Sequence, residues 1–388
     1  MFRFHTAGES HGQALTAWVS GLPAGVPIDC DFVTRELRRR QAGYGRGGRM
    51  KIEQDRAEFL AGVRQGHTTG APIALLIENK DWETWQEALP VEDTPSGKPR
   101  PLSEPRPGHA DLAGALKFNL YDARDILERA SARETAARTA AGAVAKLFLR
   151  PFGIEILSHV LAIGSVQLAR EARWEEIERV CADVEAPFRC VDVRLEEQMK
   201  ALVDRALAER DSLGGVFEVV AHNVPPGLGA HINWDEKLDG QLAQAVMSLP
   251  AVKAVEIGTG VANAAAFGSD VHDEIHYDAR ARRFTRPTNH AGGLEGGITN
   301  GEDIRVRGYL KPISTLRRPL ASVNLKTKEP VKAAYERSDV CVVPAAGVAG
   351  EAMVALVLTR AVREKFGGDT LEEALRNFRG YQQQLRNF

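Results

Sequence analysis

Residues 38–49 carry the strongest chemical signal in the sequence, because five arginines stand among glycines there. The stretch reads Arg-Arg-Arg-Gln-Ala-Gly-Tyr-Gly-Arg-Gly-Gly-Arg. Guanidinium groups hold phosphate or carboxylate in a two-pronged grip, and glycines let backbone N–H groups line a concave anion site. The simpler interpretation is a solvated loop, but in a chain of formal net charge −2 the block predicts a compact polyanionic ligand.

Further groups suited to proton transfer and anion binding recur along the chain. Ser10-His11 lies in a glycine-flanked turn, where a histidine can titrate near neutral pH. Arg129, Ser131 and Arg133 fall at a predicted helix start, which favours phosphate. Together the candidates predict a deep, arginine-lined pocket with two histidines and one carboxylate placed for proton transfer. The others are Arg106-Pro-Gly-His109-Ala-Asp111, Asn289-His290 with nearby glycines, Lys311-Pro-Ile-Ser-Thr315, and Arg337-Ser-Asp339.

Two familiar patterns point to chemistry that their surroundings do not favour. Gly8-x-Ser10-x-Gly12 matches the nucleophile elbow of serine hydrolases, which needs a helix after the serine. The following Leu-Thr-Ala-Trp-Val is typical of a strand instead. Gly43-x-Gly45-x-x-Gly48 matches the dinucleotide fingerprint, which needs a preceding strand and a following helix. An arginine-rich helix is predicted before it and a strand after it, so neither motif is expected to function.

Composition narrows the possible classes of protein. The chain has 388 residues, of which 44% are hydrophobic, enough for a substantial core. Lys+Arg 50 against Asp+Glu 52 disfavours a dedicated nucleic-acid binder. The apolar runs are too short for a membrane span, and no signal-peptide pattern opens the chain, so we expect a cytoplasmic protein without membrane or nucleic-acid partners. Four scattered cysteines indicate neither a metal site nor disulfides.

Local signals predict helices and strands in mixed order, without the regular alternation of a doubly wound sheet. We therefore expect an α+β fold with helices packed between sheets. Small residues in the alanine-rich helix suggest close helix contacts in the core. The predicted elements are two strands within 4–28, a helix capped by Asp31 and running through Arg40, a helix opened by the capping box Ser131-x-x-Glu134 and ending near Leu149, a capped helix after Asp235 ended by Pro250, a strand over 252–257, a buried strand over 339–343, and a helix from about Glu351 to Phe366.

Five segments, taken in order, closely resemble the chorismate synthase family and extend from residue 7 to about residue 343. The match is specific because the segments occur together and in the same order. They are Ala-Gly-Glu-Ser-His-Gly, Arg-Arg-Arg-Gln-x-Gly-Tyr-Gly-Arg-Gly-Gly-Arg-Met, Arg-Pro-Gly-His-Ala-Asp, Ser-Ala-Arg-Glu-Thr and Lys-Pro-Ile-Ser-Thr.

The resemblance implies a single domain over residues 1–388, built as a β-α-β sandwich and assembled as a homotetramer. It implies a carbon–oxygen lyase of the shikimate pathway, on the route to the aromatic amino acids. In that step 5-enolpyruvylshikimate 3-phosphate loses phosphate and a proton by anti-1,4-elimination to give chorismate. The implied cofactor is reduced FMN, which lends electron density to the substrate without net redox change. Loops at about 38–50, 80–108 and 311–337 are expected to be mobile until ligands bind.

By the same resemblance, His11 would protonate the departing phosphate and His109 would manage the proton on the reduced flavin. Asp339 would lie near flavin N5, which takes the ring proton. The residues implied to clamp the anionic groups are Arg46, Arg49, Arg106, Arg133 and Arg337, with Ser10 and Ser131 in support. The implied flavin contacts are Arg129, Ala130, Ser131, Pro250, Ala251, Gly296, Lys311, Pro312, Ile313, Ser314, Thr315 and Arg337. Arg40 and Arg46 match positions associated with NADPH in members that reduce their own flavin.

The chain departs from the usual pattern of the family at four positions. A serine is common where Ala130 stands, and an arginine where Ala345 stands. Ser338 and Val340 replace the histidine and proline of a frequent Arg-His-Asp-Pro segment. Arg337 and Asp339, which matter for the implied chemistry, are retained.

Two other classes of protein are considered beside the lyase. A phosphate-ligand or RNA-binding protein could use the Arg-Gly loop, although the basic block carries only one aromatic residue for base stacking, Tyr44. A serine hydrolase would use Ser10 as its nucleophile, and an organophosphate would then label that residue.

Overall fold

Two antiparallel sheets with helices between them form the fold, which confirms the predicted α+β class. The computed structural model describes residues 1–47, 54–93, 100–336 and 339–388. The strands are β1 (Arg3–Ala7), β2 (Ala14–Ser20), β3 (Ala24–Pro27), β4 (Glu58–Ala61), β5 (Val63–Arg64), β6 (His67–Thr69), β7 (Ile73–Glu78), β8 (Glu155–Ile163), β9 (Val166–Gln167), β10 (Gly215–His222), β11 (Val252–Ile257), β12 (His276–Asp278), β13 (Arg283–Thr285), β14 (Leu294–Glu295), β15 (Ile298–Thr299), β16 (Ile304–Leu310), β17 (Ala321–Val323) and β18 (Pro330–Lys332).

The helices include two long central ones, α4 and α10, and helices α1, α7 and α11 pack against this pair. They are α1 (Cys30–Gln41), α2 (Asp111–Phe118), α3 (Arg124–Ala130), α4 (Thr135–Leu149), α5 (Trp174–Ala182), α6 (Val193–Ala208), α7 (Leu238–Met247), α8 (Gly260–Asn263), α9 (Gly268–Val271), α10 (Val343–Phe366) and α11 (Leu371–Asn387).

The layer order of the sandwich follows from which helix packs on which sheet. The first sheet has the strand order β1-β2-β7-β4, and the second has β11-β16-β10-β8-β9. Helix α4 packs on β2 and β7, α10 packs on β8 and β10, and the two helices pack on each other. A Cβ on Gly142 would lie 2.3 Å from the Cβ of Ala352, so this close approach requires glycine and confirms the small-residue prediction.

One face of each sheet supplies the core. Along β2, buried Leu15, Ala17 and Val19 alternate with exposed Thr16 and Trp18, as expected for a strand with one face against helices. Residues from both sheets and from the central helices join one continuous hydrophobic cluster. The functional residues lie in the loops and helix ends around this rigid frame.

A cluster of four charged side chains joins the central helices inside the sandwich. Arg39 on α1 donates to Glu351 on α10 through both terminal nitrogens, each at 2.8 Å. Lys146 on α4 bonds both Glu351 and Glu36, each at 2.5 Å. Burial raises the pKa of Glu36, but the two cations outweigh it and lower that pKa to about 2. Two cations and two anions balance, which fixes α1 against α4 and α10.

Several predicted element boundaries are wrong, each for a local reason. Asp29, not Asp31, caps α1, because its side chain accepts the Phe32 N–H at 2.9 Å. Ser131 does not open a capping box: Ala132–Glu134 is a 3-10 turn, and α4 begins at Thr135. The predicted end of α4 at Leu149 is confirmed.

The segment around Cys341 and the helix after it also differ from the prediction. The predicted strand over 339–343 is reduced to a single bridge from Leu213 to Cys341, and α10 begins at Val343, not near Glu351. Helix α10 is long and apolar enough to cross a membrane, so the prediction that no segment reaches that length is wrong. Within its most apolar window, 83% is buried inside the sandwich, which is typical of a core helix.

Candidate active site

The turn between β1 and β2 is held in place by Asn79, the residue directly after β7. The Asn79 amide nitrogen donates to the carbonyls of Gly12 at 2.6 Å and Glu9 at 3.1 Å. Its amide oxygen accepts from the Arg133 Nε at 3.0 Å. Because Asn79 is 3% exposed, these bonds are shielded from water and fix the turn that carries Ser10 and His11.

Glu128 on α3 holds His11 in two ways. One carboxylate oxygen accepts the backbone N–H of His11 at 2.8 Å, and the other lies 2.9 Å from the ring Nδ1. The ring also stacks on Trp85, with centroids 4.1 Å apart. Burial raises the pKa of Glu128, but the bonds from His11 outweigh it and the pKa is lowered. Because the carboxylate accepts a hydrogen bond from Nδ1, the proton is on that nitrogen. Nε2 is the ring nitrogen that Glu128 does not hold.

Arg124 connects the His11 site to the segment that follows β18. Its guanidinium lies 3.5 Å from Glu128 and donates to Glu336 at 3.0 Å. The Arg124 guanidinium also lies over the Trp85 ring, 5.3 Å from its centroid. Trp85 therefore contacts both Arg124 and the His11 ring. The segment after β18 is thereby tied to α3 through Glu336.

His109 belongs to a second imidazole–carboxylate pair, with Asp111 at the start of α2. The ring Nδ1 lies 2.5 Å from the Asp111 carboxylate, and Arg106 donates to the same carboxylate through Nε at 2.8 Å. Arg106 also donates to the Thr315 hydroxyl at 2.9 Å. Burial opposes ionisation of Asp111, but the bonds from His109 and Arg106 hold the pKa of that carboxyl well below its usual range.

Two buried guanidinium groups share one carboxylate beside the turn. Arg133 bonds Asp55 at 2.6 and 2.7 Å, and Arg40 lies 3.4 Å from the same side chain. Arg40 also donates to the Thr135 hydroxyl and the Ala132 carbonyl. Burial lowers the pKa of Arg40 to about 10, since the nearby positive charge of Arg133 offsets part of the attraction of Asp55. Buried guanidinium groups of this kind are suited to holding an anionic ligand.

Asp339 is paired with the glycine–arginine loop. Arg46 lies 2.9 Å from its carboxylate, and the Gly47 N–H donates to the same group. The Val340 N–H donates to the Gly45 carbonyl at 2.8 Å. A proline at position 340, frequent in the family, could not make this bond, so Val340 gives the loop an additional attachment.

Seven of the residues implied to contact flavin are residues 311–315 and the neighbouring Pro250-Ala251 pair, whereas Gly296 and residues 129–131 lie elsewhere in the chain. The Lys311 N–H donates to the Ala251 carbonyl at 3.0 Å, which places the Pro250-Ala251 pair beside residues 311–315. The Lys311 ammonium bonds the Gly108 carbonyl, next to His109. Gly296 forms the turn between β14 and β15, where an added Cβ would approach only His231. Arg129 bonds Thr6 and the Gly8 carbonyl and is largely exposed.

The structure therefore brings together most, but not all, of the predicted site residues. Ser10 donates to Ser131 at 3.0 Å, beside His11 and Arg133, and α3 packs on α2, the helix that begins at Asp111. Arg129 and Ala130 end α3, so they do not stand at a helix start as predicted. Arg49, Arg337 and the departure Ser338 lie outside the described residues. Of the other departures, Ala345 is buried in α10.

The nucleophile-elbow interpretation finds no support in this geometry. The turn containing Ser10 leads into strand β2, not a helix, as the sequence predicted. The His11 ring bonds Glu128, whereas the Ser10 hydroxyl bonds Ser131. Gly48, which completes the second motif, lies outside the described residues, and Gly45 follows α1 in a loop.

Sequence reasoning missed four residues that organise the site: Asp55, Asn79, Trp85 and Glu128. Each acts on a partner that lies remote in sequence; His11 and Glu128 are 117 positions apart. Asn79 could have been noticed as a polar residue directly after an apolar strand, and Glu128 as the neighbour of the Arg-Ala-Ser-Ala-Arg segment. The pairing itself is not encoded in any local pattern.

In this fold, buried guanidinium groups lie beside two histidines that carboxylates hold, an arrangement suited to an enzyme that binds an anionic substrate and transfers protons. Comparison with known proteins agrees with this class. A family model described as chorismate synthase matches residues 2–362. The chain belongs to the chorismate synthase family, whose members are lyases of the shikimate pathway.

Individual relatives match over the whole chain. Chorismate synthase of Solibacter usitatus is 62% identical over 389 residues, with 100% of both chains covered. Chorismate synthase of Acidobacterium capsulatum is 63% identical over 393 residues, again with complete coverage. A crystal structure of chorismate synthase has a TM-score of 0.80 and 42% identity, and covers 100% of this chain and 99% of that one.

Proposed function

We propose that this chain converts 5-enolpyruvylshikimate 3-phosphate to chorismate by anti-1,4-elimination, with reduced FMN bound beside the substrate. The observation that carries the proposal is the pair of imidazole–carboxylate units, His11–Glu128 and His109–Asp111, each with a buried carboxylate and each near buried guanidinium groups. The substrate bears two carboxylates and a phosphate, and its reaction requires a proton donor for the phosphate and a proton acceptor for the ring. The site offers both kinds of group.

The residues present fit a flavin phosphate near Lys311. Its ammonium bonds a carbonyl, and neither Lys311 nor nearby Lys253 has a carboxylate within 4.0 Å among the described residues. Burial and, secondarily, the charge of Lys253 lower the pKa of Lys311, so an anion there would relieve the repulsion. Reduced FMN would supply the electron density that helps the carbon–oxygen bond to break. The residues proposed to hold it are Arg129, Ala130, Ser131, Pro250, Ala251, Gly296, residues 311–315 and Arg337.

His11 is proposed to protonate the departing phosphate. Glu128 holds Nδ1, so Nε2 is the ring atom that would serve the phosphate oxygen, and the buried carboxylate stabilises the ring when it is charged. Trp85 fixes the plane of the ring from one side. Arg133 and Arg40 would hold the anionic groups of the substrate nearby, supported by the hydroxyls of Ser10 and Ser131.

His109 and Asp339 are proposed to handle the protons on the other side of the reaction. Asp111 holds the His109 ring through Nδ1, while Arg106 positions that carboxylate and reaches toward anionic ligand groups. Asp339 is oriented by Arg46 and the Gly47 N–H, which keep its carboxylate at one place in the site. Arg49 and Arg337 complete the proposed anion clamp.

The test is anaerobic turnover of 5-enolpyruvylshikimate 3-phosphate by the purified chain with photoreduced FMN, followed through chorismate absorbance. Chorismate is the expected product, and its absence would overturn the proposal. A parallel reaction with oxidised FMN and NADPH tests whether the chain reduces its own flavin. Product in that reaction would give Arg46 a nicotinamide role, whereas Arg40 is buried and bonded to Thr135, Ala132 and Asp55.

We further propose that the enzyme is a cytoplasmic homotetramer of single-domain subunits, and that its loops at about 38–50, 80–108 and 311–337 become ordered when ligands bind. Parts of these loops, residues 48–50, 94–99 and 337, lie outside the described residues. Limited proteolysis with and without FMN and substrate tests the ordering. Unchanged cleavage in these loops would contradict it.

A further inference from the structure

One long segment of the chain contributes nothing to the core. From residue 259 to residue 291 every residue is at least partly exposed, although the segment forms α8, α9 and the hairpin of β12 and β13. We call residues 259–291 the arm. Its attachment lies near its C-terminal end, where Asp273 accepts from the Thr288 hydroxyl and from the N–H groups of His290 and Ala291.

The arm exposes large apolar side chains along its length. An isolated two-stranded hairpin is marginally stable in water, and here Tyr277 and Phe284 form its cross-strand pair while both stay exposed. The C-terminal Phe388 packs edge-on against Phe284, with centroids 6.2 Å apart, and is itself 93% exposed. Exposed apolar residues grouped along one segment are typical of an interaction site. The exposed apolar residues of the arm are Val261, Phe267, Ile275, Tyr277 and Phe284.

The charges of the arm are separated into two limbs. Residues 270–278, the acidic limb, contain Asp270, Asp273, Glu274 and Asp278 and no lysine or arginine. Residues 280–286, the basic limb, contain four arginines and no acid. In the part of the chain that the structure describes, no carboxylate lies within 4.0 Å of the guanidinium groups of Arg280, Arg282 or Arg283. These charges are therefore available to a partner.

We propose that the arm docks on the arm of a second copy of this chain, with the acidic limb of each facing the basic limb of the other. A twofold axis brings the same patch of both copies together, so the patch must complement itself. A surface with apolar residues beside one acidic and one basic limb meets that requirement. The inference rests on the homotetramer of the proposed function and assigns one of its interfaces.

The charge pattern selects a second copy over other occupants. A polyanion such as nucleic acid would gain at the basic limb but be repelled by the acidic limb, which carries as many charges. A strongly basic partner would be attracted by the acidic limb but repelled by the basic limb. Antiparallel pairing of two identical arms satisfies both limbs at once and covers the aromatic pair of Tyr277 and Phe284 on each copy.

The experiment is sedimentation velocity on the full chain at about 0.1 M salt, where charges at an interface are only partly screened. Two double variants are compared with the wild type: Asp270→Lys with Glu274→Lys, which leaves six basic and two acidic residues in the arm, and Arg282→Glu with Arg283→Glu, which leaves six acidic and two basic residues. Each variant alone is expected to lose about half of its assembled mass or more, because the attraction between opposite limbs is lost and both arms then carry the same net charge. Mixing the two variants in equal amounts is expected to restore the lost assembly.

A matched control reverses two exposed arginines outside the arm, Arg179→Glu with Arg194→Glu, and should sediment as the wild type does. Circular dichroism verifies that every variant is folded. A monomeric wild type, variants that keep the wild-type mass, or a mixture that fails to reassemble would each overturn the inference. The chorismate assay is read separately. If chorismate forms but the variants sediment as the wild type does, only the arm contact is refuted. If the variants lose their assembly as expected but the wild type forms no chorismate, only the proposed function is refuted.

Discussion

Replacing Glu128 by glutamine should reduce turnover while leaving the fold intact. The side chain is 1% exposed, and its two oxygens accept the backbone N–H of His11 at 2.8 Å and the ring Nδ1 at 2.9 Å. Glutamine has nearly the same shape but carries no charge, and only one of its two terminal atoms accepts hydrogen bonds. The change therefore removes the anion that stabilises the charged imidazole and keeps the packing around it.

The size of the effect follows from the bonds that change. A hydrogen bond to a charged group contributes about 1.5–3 kcal/mol, and a neutral bond contributes about 0.5–1.5 kcal/mol. Exchanging one for the other at the His11 ring costs about 1–1.5 kcal/mol, which corresponds to about tenfold in rate.

The assay is anaerobic chorismate formation with photoreduced FMN at saturating substrate, measured from about pH 6 to about pH 8.5 so that kcat is separated from KM. Glu9→Gln is the matched control, because Glu9 lies in the same turn with an exposed side chain. Its kcat should equal that of the wild type. If the kcat of Glu128→Gln stayed within about twofold of the wild type at every pH, the carboxylate would have no part in the function of His11.

Three further predictions follow from the same contacts. His11→Ala and His109→Ala should each lower kcat by about 10²–10⁴-fold with FMN binding retained in a fluorescence titration; near-normal rates would exclude them from the mechanism. Asn79→Ala should lower the free energy of unfolding by about 1–3 kcal/mol in urea, because buried partners lose their bonds; an unchanged midpoint would contradict this. Glu36 and Glu218 have pKa values of about 2, lowered from 4.5, so their contribution to stability should be lost as pH falls from about 4.5 toward about 2. A flat urea midpoint between about pH 6 and about pH 3 would refute this.

The sequence predicted the sandwich because its main evidence is local. An alanine-rich helix with small residues at Ala140 and Gly142 can only pack tightly, and strands without regular helical crossovers favour antiparallel sheets. It was wrong where two local signals compete. Asp29 and Asp31 are both good caps, and only the fold selects Asp29. The apolar Asp-Val-Cys-Val-Val run resembles a strand, but most of it precedes or opens the buried helix α10.

The sequence predicted the hydrogen-bond donors of the candidate site better than it predicted their acceptors. The arginines and histidines stand in short glycine-flanked segments that are visible in the sequence, whereas the carboxylates that hold them are isolated acids elsewhere. Asp55 is paired with both Arg133 and Arg40, but no recognisable motif surrounds it in the sequence. Its role depends on the sandwich bringing β7, α1 and the start of α4 together, which is a property of the whole fold.

The two histidine sites share one arrangement, and the difference between them explains what the sequence revealed. In each, a single carboxylate accepts both a backbone N–H and the ring Nδ1: Glu128 accepts the N–H and ring of His11, and Asp111 accepts the Arg106 N–H and the His109 ring. Loop conformation and ring orientation are therefore fixed by the same group, so neither can change without the other. The Asp111 site is local, because its partners lie within five residues, and the sequence displays it. The Glu128 site joins segments 117 residues apart, and there the position of His11 depends on how α3 packs against the first sheet.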